Sequence, residues 1–118
     1  MRQSGVAEAL PELLQSKVYM GISAGSMVAG KLLPEKLIRT ILPEEIFEGN
    51  DPGFALVDCI VLPHFNSDYF AHLRKDLLHS LESQFPSTVY ALDDQSALKV
   101  VGDDIEVVTE GDFLKLEK

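Results

Sequence analysis

Gly21-Ile22-Ser23-Ala24-Gly25 is a G-x-S-x-G pattern lying between an apolar stretch and a helical one. Small residues around a serine suit a sharp strand-to-helix turn, which pushes the hydroxyl out at the strand's carboxyl end. That makes Ser23 a candidate nucleophile and aims the Ala24 N–H and the helix N-terminus at any oxyanion that forms. The alternative is a tight turn with a capping serine, because the pattern also recurs by chance. A serine hydroxyl needs a base to remove its proton. His64 is the candidate, just past the carboxyl end of the apolar run Ala55–Leu62, at the edge where parallel sheets host their sites. Its alternative is a strand-end packing residue. His72 and His79 fall off the apolar stripe of the following helix and read as solvated. A third group must fix the tautomer of the base. Asp93 and Asp94 follow the strand Thr88–Leu92, and at most one of them can do so; otherwise the pair is a solvated turn. Three successive strands thus each end in one member of a Ser–His–Asp set.

The elements that must position these groups follow from periodicity and breakers. Residues 5–15 predict a short amphipathic helix, kinked or restarted at Pro11. Lys17–Ile22 (KVYMGI) predicts a brief strand, and Ala24 to Leu33 a helix stopped by Pro34. Residues 35–47 carry two short helical pieces, the second opened by Pro43, and Glu48–Gly53 is a loop. Ala55–Leu62 (ALVDCIVL) predicts a strand buried on both faces, ended by Pro63. Ser67 caps a helix with Phe70, Leu73, Leu77, Leu78 and Leu81 at helical spacing, closed by Pro86. Thr88–Leu92 is the next strand. Ala97–Val101 and Ile105–Val108 flank Gly102-Asp103-Asp104 as a hairpin. Alternation of this kind implies an α/β sheet with parallel strands and covering helices.

Composition narrows the function. The net charge of −9, with ten scattered basic residues against nineteen acidic ones, argues against nucleic acid, which needs clustered cations. An acidic substrate would need a local cation, and Arg74 is the arginine that follows His64; its alternative is a charge on the helix surface. The single Cys59 forms no internal disulfide or metal cluster. No apolar run approaches the ~20 residues of a membrane helix, and no signal-peptide pattern opens the sequence. The expectation is a cytoplasmic protein without membrane partners.

Three blocks resemble the peptidase E (aspartyl dipeptidase) and cyanophycinase family of serine peptidases: Tyr19 to Gly30 (YMGISAGSMVAG), Asp58 to Asn66 (DCIVLPHFN) and Tyr90 to Leu98 (YALDDQSAL). They occur in the family's order and span most of the chain. The resemblance implies a class I glutamine amidotransferase-like α/β fold, a flavodoxin-like three-layer sandwich, with a triad of Ser23, His64 and Asp94. It implies Ala24 as one oxyanion N–H and Arg74 as the counterpart of an arginine that binds an N-terminal aspartate. The family's acid is usually Glu in a Leu-Pro-Glu-Gly-like setting, and here the shorter Asp93-Asp94 pair leaves Asp93 as the fallback. Upstream of the serine the family carries further strands and a Gly-Gly-Asn-type loop that donates the second oxyanion N–H. The expectation is therefore residues 1–118 as one partial domain, N-terminally truncated, with a C-terminal β-hairpin. Its expected function is a serine peptidase acting on short peptides, with no metal or cofactor. The alternatives are an inactive remnant acting by binding or oligomerisation, and an esterase or other acyl hydrolase. Missing cover on the sheet also predicts self-association, most simply as a homodimer.

Overall fold

A computed structural model describes residues 6–42 and 54–118. The second helical piece predicted after Pro43 and the loop Glu48–Gly53 lie outside the described residues. In chain order the elements are α1 (Val6–Leu13), α2 (Ala24–Ala29), α3 (Glu35–Ile41), β1 (Ile60–Leu62), α4 (Lys75–Ser80), a 3-10 turn (Glu82–Gln84), β2 (Val89–Leu92), β3 (Ser96–Val101), β4 (Asp104–Thr109) and β5 (Phe113–Leu116).

The centre is a mixed three-stranded sheet in the order β1-β2-β5. β1 runs parallel to β2, with Ile60 opposite Val89 and Leu62 opposite Ala91. β5 runs antiparallel on the other side of β2, with Leu92 opposite Phe113. The all-parallel core expected from the alternation is corrected by this last strand. β5 pairs with a strand some twenty residues upstream, and nothing local in Phe-Leu-Lys-Leu announces that partner.

Alternation along the strands sends side chains to two separate cores. Ile60, Leu62, Val89, Ala91 and Leu116 join Met27, the apolar face of α3, Phe65, Leu73, Leu78 and Phe85. Cys59, Val61, Tyr90 and Leu92 face the other way and meet Leu98, Ile105 and Val107 of the β3–β4 hairpin. Helices cover one face of the sheet and the hairpin covers the other, so every residue of β1 and β2 is buried.

Three predicted elements are shorter than their apolar patterns. Ala55–Leu62 contracts to β1 because its first half bonds elsewhere. The Phe54 amide donates to the Val28 carbonyl and the Leu56 amide to the Ala29 carbonyl, both at 2.7 Å, while Lys31 N–H donates to the Cys59 carbonyl at 2.8 Å. The same approach ends α2 at Gly30 instead of Pro34: a Cβ there would run into the Cys59 carbonyl. The helix expected from Ser67 starts only at Lys75, because residues 66–73 close into a loop of their own. The predicted strand Lys17–Ile22 forms no ladder among the described residues. Val18, Met20 and Ile22 are between 81% and 88% exposed, and no strand among the described residues lies beside them. Among the described residues no helix is long and apolar enough to cross a membrane.

Candidate active site

Ser23 stands at φ 56°, ψ −120°, immediately before α2. A non-glycine residue there carries backbone strain of about 1–3 kcal/mol, and such strain persists only where neighbours enforce it. The enforcing contacts are local. The Gly25 amide donates to the Ile22 carbonyl at 2.9 Å, and the Tyr19 hydroxyl donates to the Gly25 carbonyl at 2.6 Å. Gly21 packs so closely on this turn that a Cβ would collide with the Gly25 carbonyl. A Cβ on Gly25 would meet only the Tyr19 hydroxyl, at 3.8 Å. The first glycine of the pattern is therefore sterically required, and space does not require the second.

The Ser23 side chain makes no capping bond to its own helix. Its Oγ lies 2.9 Å from His64 Nε2. His64 leaves β1 through Pro63 and adopts φ 64°. The ladder resumes just beyond it, where Phe65 N–H donates to the Leu92 carbonyl at 3.0 Å. That bond holds the ends of β1 and β2 side by side, and Asp94 meets His64 across them, Oδ1 to Nδ1 at 2.8 Å. An ionised carboxylate only accepts, so Nδ1 carries the proton and Nε2 is left to accept from the serine hydroxyl. A continuous Ser–His–Asp relay results. It is open to solvent, with the side chains of His64 and Asp94 exposed by 29% and 64%.

The model of peptidase family S51 matches residues 1–108. The chain belongs to peptidase family S51. Its mixed α/β fold is also that of a crystal structure of a Listeria monocytogenes EGD-e protein, provisionally described as a peptidase E. That match has a TM-score of 0.65 at 21% identity and covers 93% of this chain and 52% of the other. The S51 chain thus spans about half the length of that solved structure. No curated protein sequence matches it.

The two adjacent aspartates of the S51 chain have separate jobs. Asp93 Oδ1 accepts from the Gln95 amide at 3.0 Å and the Ser96 hydroxyl at 2.6 Å. Its Oδ2 accepts from the Asp112 amide at 2.5 Å. Desolvation pushes the Asp93 carboxyl up, but the bonds from Ser96, Asp112 and Gln95 together outweigh it and hold the group below its ordinary value. Gly111 lies against this carboxylate, where a Cβ would overlap it. Asp93 ties β2 to the chain entering β5, and Asp94 is the one that faces His64.

Ala24 opens α2, so its amide is among those with no acceptor inside the helix. Arg74, expected either to bind an acidic substrate or to be a helix-surface charge, immediately precedes α4. Its guanidinium donates to the carbonyls of Phe70, Leu73 and Ser67, each at 3.1 Å. His72 is exposed, and His79 lies 3.7 Å from Glu82 on the surface. Cys59 is buried, and burial, with Asp58 beside it, pushes its thiol up. Two site residues escaped sequence reasoning. Phe70, read as part of a helix stripe, stacks on the His64 ring at 4.8 Å between centroids and 13° between planes. Tyr19, read as a strand residue, braces the serine turn. The signal for Phe70 was its place in a Ser67-Asp68 turn close after the histidine.

Proposed function

We propose that Ser23, His64 and Asp94 form the catalytic triad of a serine-type peptidase that hydrolyses short peptides through an acyl-enzyme. The observation that carries this reading is the two-bond relay, 2.9 Å from Ser23 to His64 and 2.8 Å from His64 to Asp94. Ser23 Oγ attacks the scissile carbonyl while His64 Nε2 takes its proton. Asp94 holds the ring and stabilises the imidazolium. The Ala24 N–H, at the head of α2, donates to the oxyanion. His64 then protonates the leaving amine, and water attacking the Ser23 ester repeats the cycle. None of these steps calls on a metal or cofactor.

The fold that goes with this reading is the class I glutamine amidotransferase-like sandwich, residues 1–118 forming part of one domain. The compartment we propose is the cytoplasm. The narrower form of the reading gives Arg74 an N-terminal aspartate to bind, through guanidinium N–H groups left over from its three carbonyls. A rival reading, a remnant that binds or oligomerises without catalysis, draws on the uncovered Val18, Met20 and Ile22.

A fluorophosphonate probe on the native protein separates these readings. Labelling at Ser23 is expected, lost in Ser23→Ala and slowed roughly 10²–10⁴-fold in Asp94→Asn, which disturbs the tautomer of the base. An unlabelled Ser23 in folded wild type sinks the peptidase and leaves the remnant. Comparing turnover of dipeptides with that of simple esters then decides between a peptidase and a general acyl hydrolase.

A further inference from the structure

We infer that Phe70, held in place by Arg74, is a positioning residue for the His64 imidazole; the inference rests on the triad reading above. Two hydrogen bonds hold the edges of that ring, and water competes for both, since Asp94 is 64% exposed and His64 29%. His64 also stands at φ 64°, a backbone state its surroundings must maintain. The face of the ring is held by Phe70, stacked at 4.8 Å and 13°. Phe70 is itself partly buried and packed against the main core. It forms a flat apolar wall that keeps water off one side of the imidazole and stops it tilting out of line with Ser23.

The wall stands on a loop that uses Arg74 as its centre. Asn66 N–H donates to the Leu73 carbonyl at 2.9 Å and Ser67 N–H to the His64 carbonyl at 3.0 Å, closing residues 64–73 on themselves. The carbonyls of Ser67, Phe70 and Leu73 then turn inward and are gathered by one guanidinium at 3.1 Å each. The rigid, planar fork spreads the three donors over two nitrogens, one serving Phe70 and Leu73 and the other Ser67, a spacing that the single nitrogen of a lysine does not reproduce. Arg74 immediately precedes α4, so the staple joins the loop to a packed helix. The path of support runs from α4 through Arg74 and the Phe70 backbone to the plane of His64.

Imidazole ¹⁵N spectra of the full chain, taken with the ring neutral, test this together with labelling by an uncharged fluorophosphonate. Wild-type His64 should show one tautomer, protonated at Nδ1. Phe70→Leu keeps apolar bulk but loses the flat face; it should mix the tautomers and slow labelling roughly ten- to a hundredfold, the scale of a small misplacement. Phe70→Tyr keeps the flat face and should leave both as in wild type. Arg74→Gln should give a weaker version of the same two changes, and it carries the test if Phe70→Leu does not fold. A pure substrate-binding role for Arg74 would leave the uncharged probe unaffected and change only the KM of Asp-X dipeptides. Wild-type tautomer and labelling rate in folded Phe70→Leu, or in Arg74→Gln when the Leu variant does not fold, would overturn the inference. If wild type itself is not labelled, the triad reading fails, and the ¹⁵N spectra still decide whether Phe70 holds the ring.

Discussion

Ser23 ends a segment that pairs with no strand among the described residues and exposes Val18, Met20 and Ile22. His64 and Asp94 leave β1 and β2, which are paired in parallel and wholly buried. The two sides of the relay are therefore positioned by different physics. On the histidine and aspartate side, sheet register sets the placement, and the cores on both faces stabilise it. On the serine side the placement is local and steric: a glycine too close to admit a Cβ, a tyrosine hydroxyl on a carbonyl, and a serine at positive φ. The serine side should fail through backbone crowding and the other side through lost hydrogen bonds.

The largest effect expected from this contrast is at the two glycines of the elbow. Gly21→Ala drives a Cβ into the Gly25 carbonyl and should cost about 1–3 kcal/mol, with Ser23 labelling falling in parallel. Gly25→Ala has room and sits inside α2, so it should gain up to about 1 kcal/mol from helix propensity. Urea denaturation of both variants reads the difference, and equal costs would contradict the asymmetry.

Next in size is the uncovered face. Two copies meeting through Val18, Met20 and Ile22 would bury this stripe, and light scattering at micromolar concentration should then find a dimer. Met20→Glu should weaken it roughly tenfold, on the scale of one buried apolar side chain, with unfolding unchanged. A monodisperse wild-type monomer would show that the stripe tolerates water.

The smallest effect belongs to the paired side. Asp93→Asn should cost about 1 kcal/mol at pH 7 by weakening three hydrogen bonds near the surface. Because the folded carboxyl lies below its ordinary value, its stabilisation is complete above the unfolded value, about 3.9, and is lost as pH falls through the lower folded value. The gap in urea midpoint between wild type and Asp93→Asn should close in acid. A gap that widens there would reverse the sign of the argument.

What the sequence made legible divides along the same line. Ser23 and His64 could be picked out because each combines a reactive side chain with an abrupt break, Gly21 and Gly25 around one and Pro63 before the other. For the third group the residues offered only an Asp pair ending an apolar run, and the family resemblance alone favoured Asp94. The lengths of the elements were not legible, because distant partners set them. Residues 54–58 have the apolar content of a strand, yet the amides of Phe54 and Leu56 go to carbonyls at the end of α2. Lys17–Ile22 has the pattern of a strand, and a pattern does not supply a neighbour. Arg74 read as either a substrate cation or a helix-surface charge, because a sequence lists its charge and not the carbonyls of Ser67, Phe70 and Leu73 gathered around it.

The adjacency of Asp93 and Asp94 bears on how this site tolerates insertion and deletion. One carboxylate anchors the chain entering β5 and the other reaches His64, so the two functions are set one residue out of phase. Both residues lie beyond β2, in a turn where the Ser96 amide donates to the Asp93 carbonyl at 3.2 Å. Losing or gaining a single residue there would draw both carboxylates off their partners at once, Asp93 from Ser96 and the Asp112 amide and Asp94 from His64. Length changes should therefore be tolerated less here than at Gly102, where the hairpin turn has open space around it.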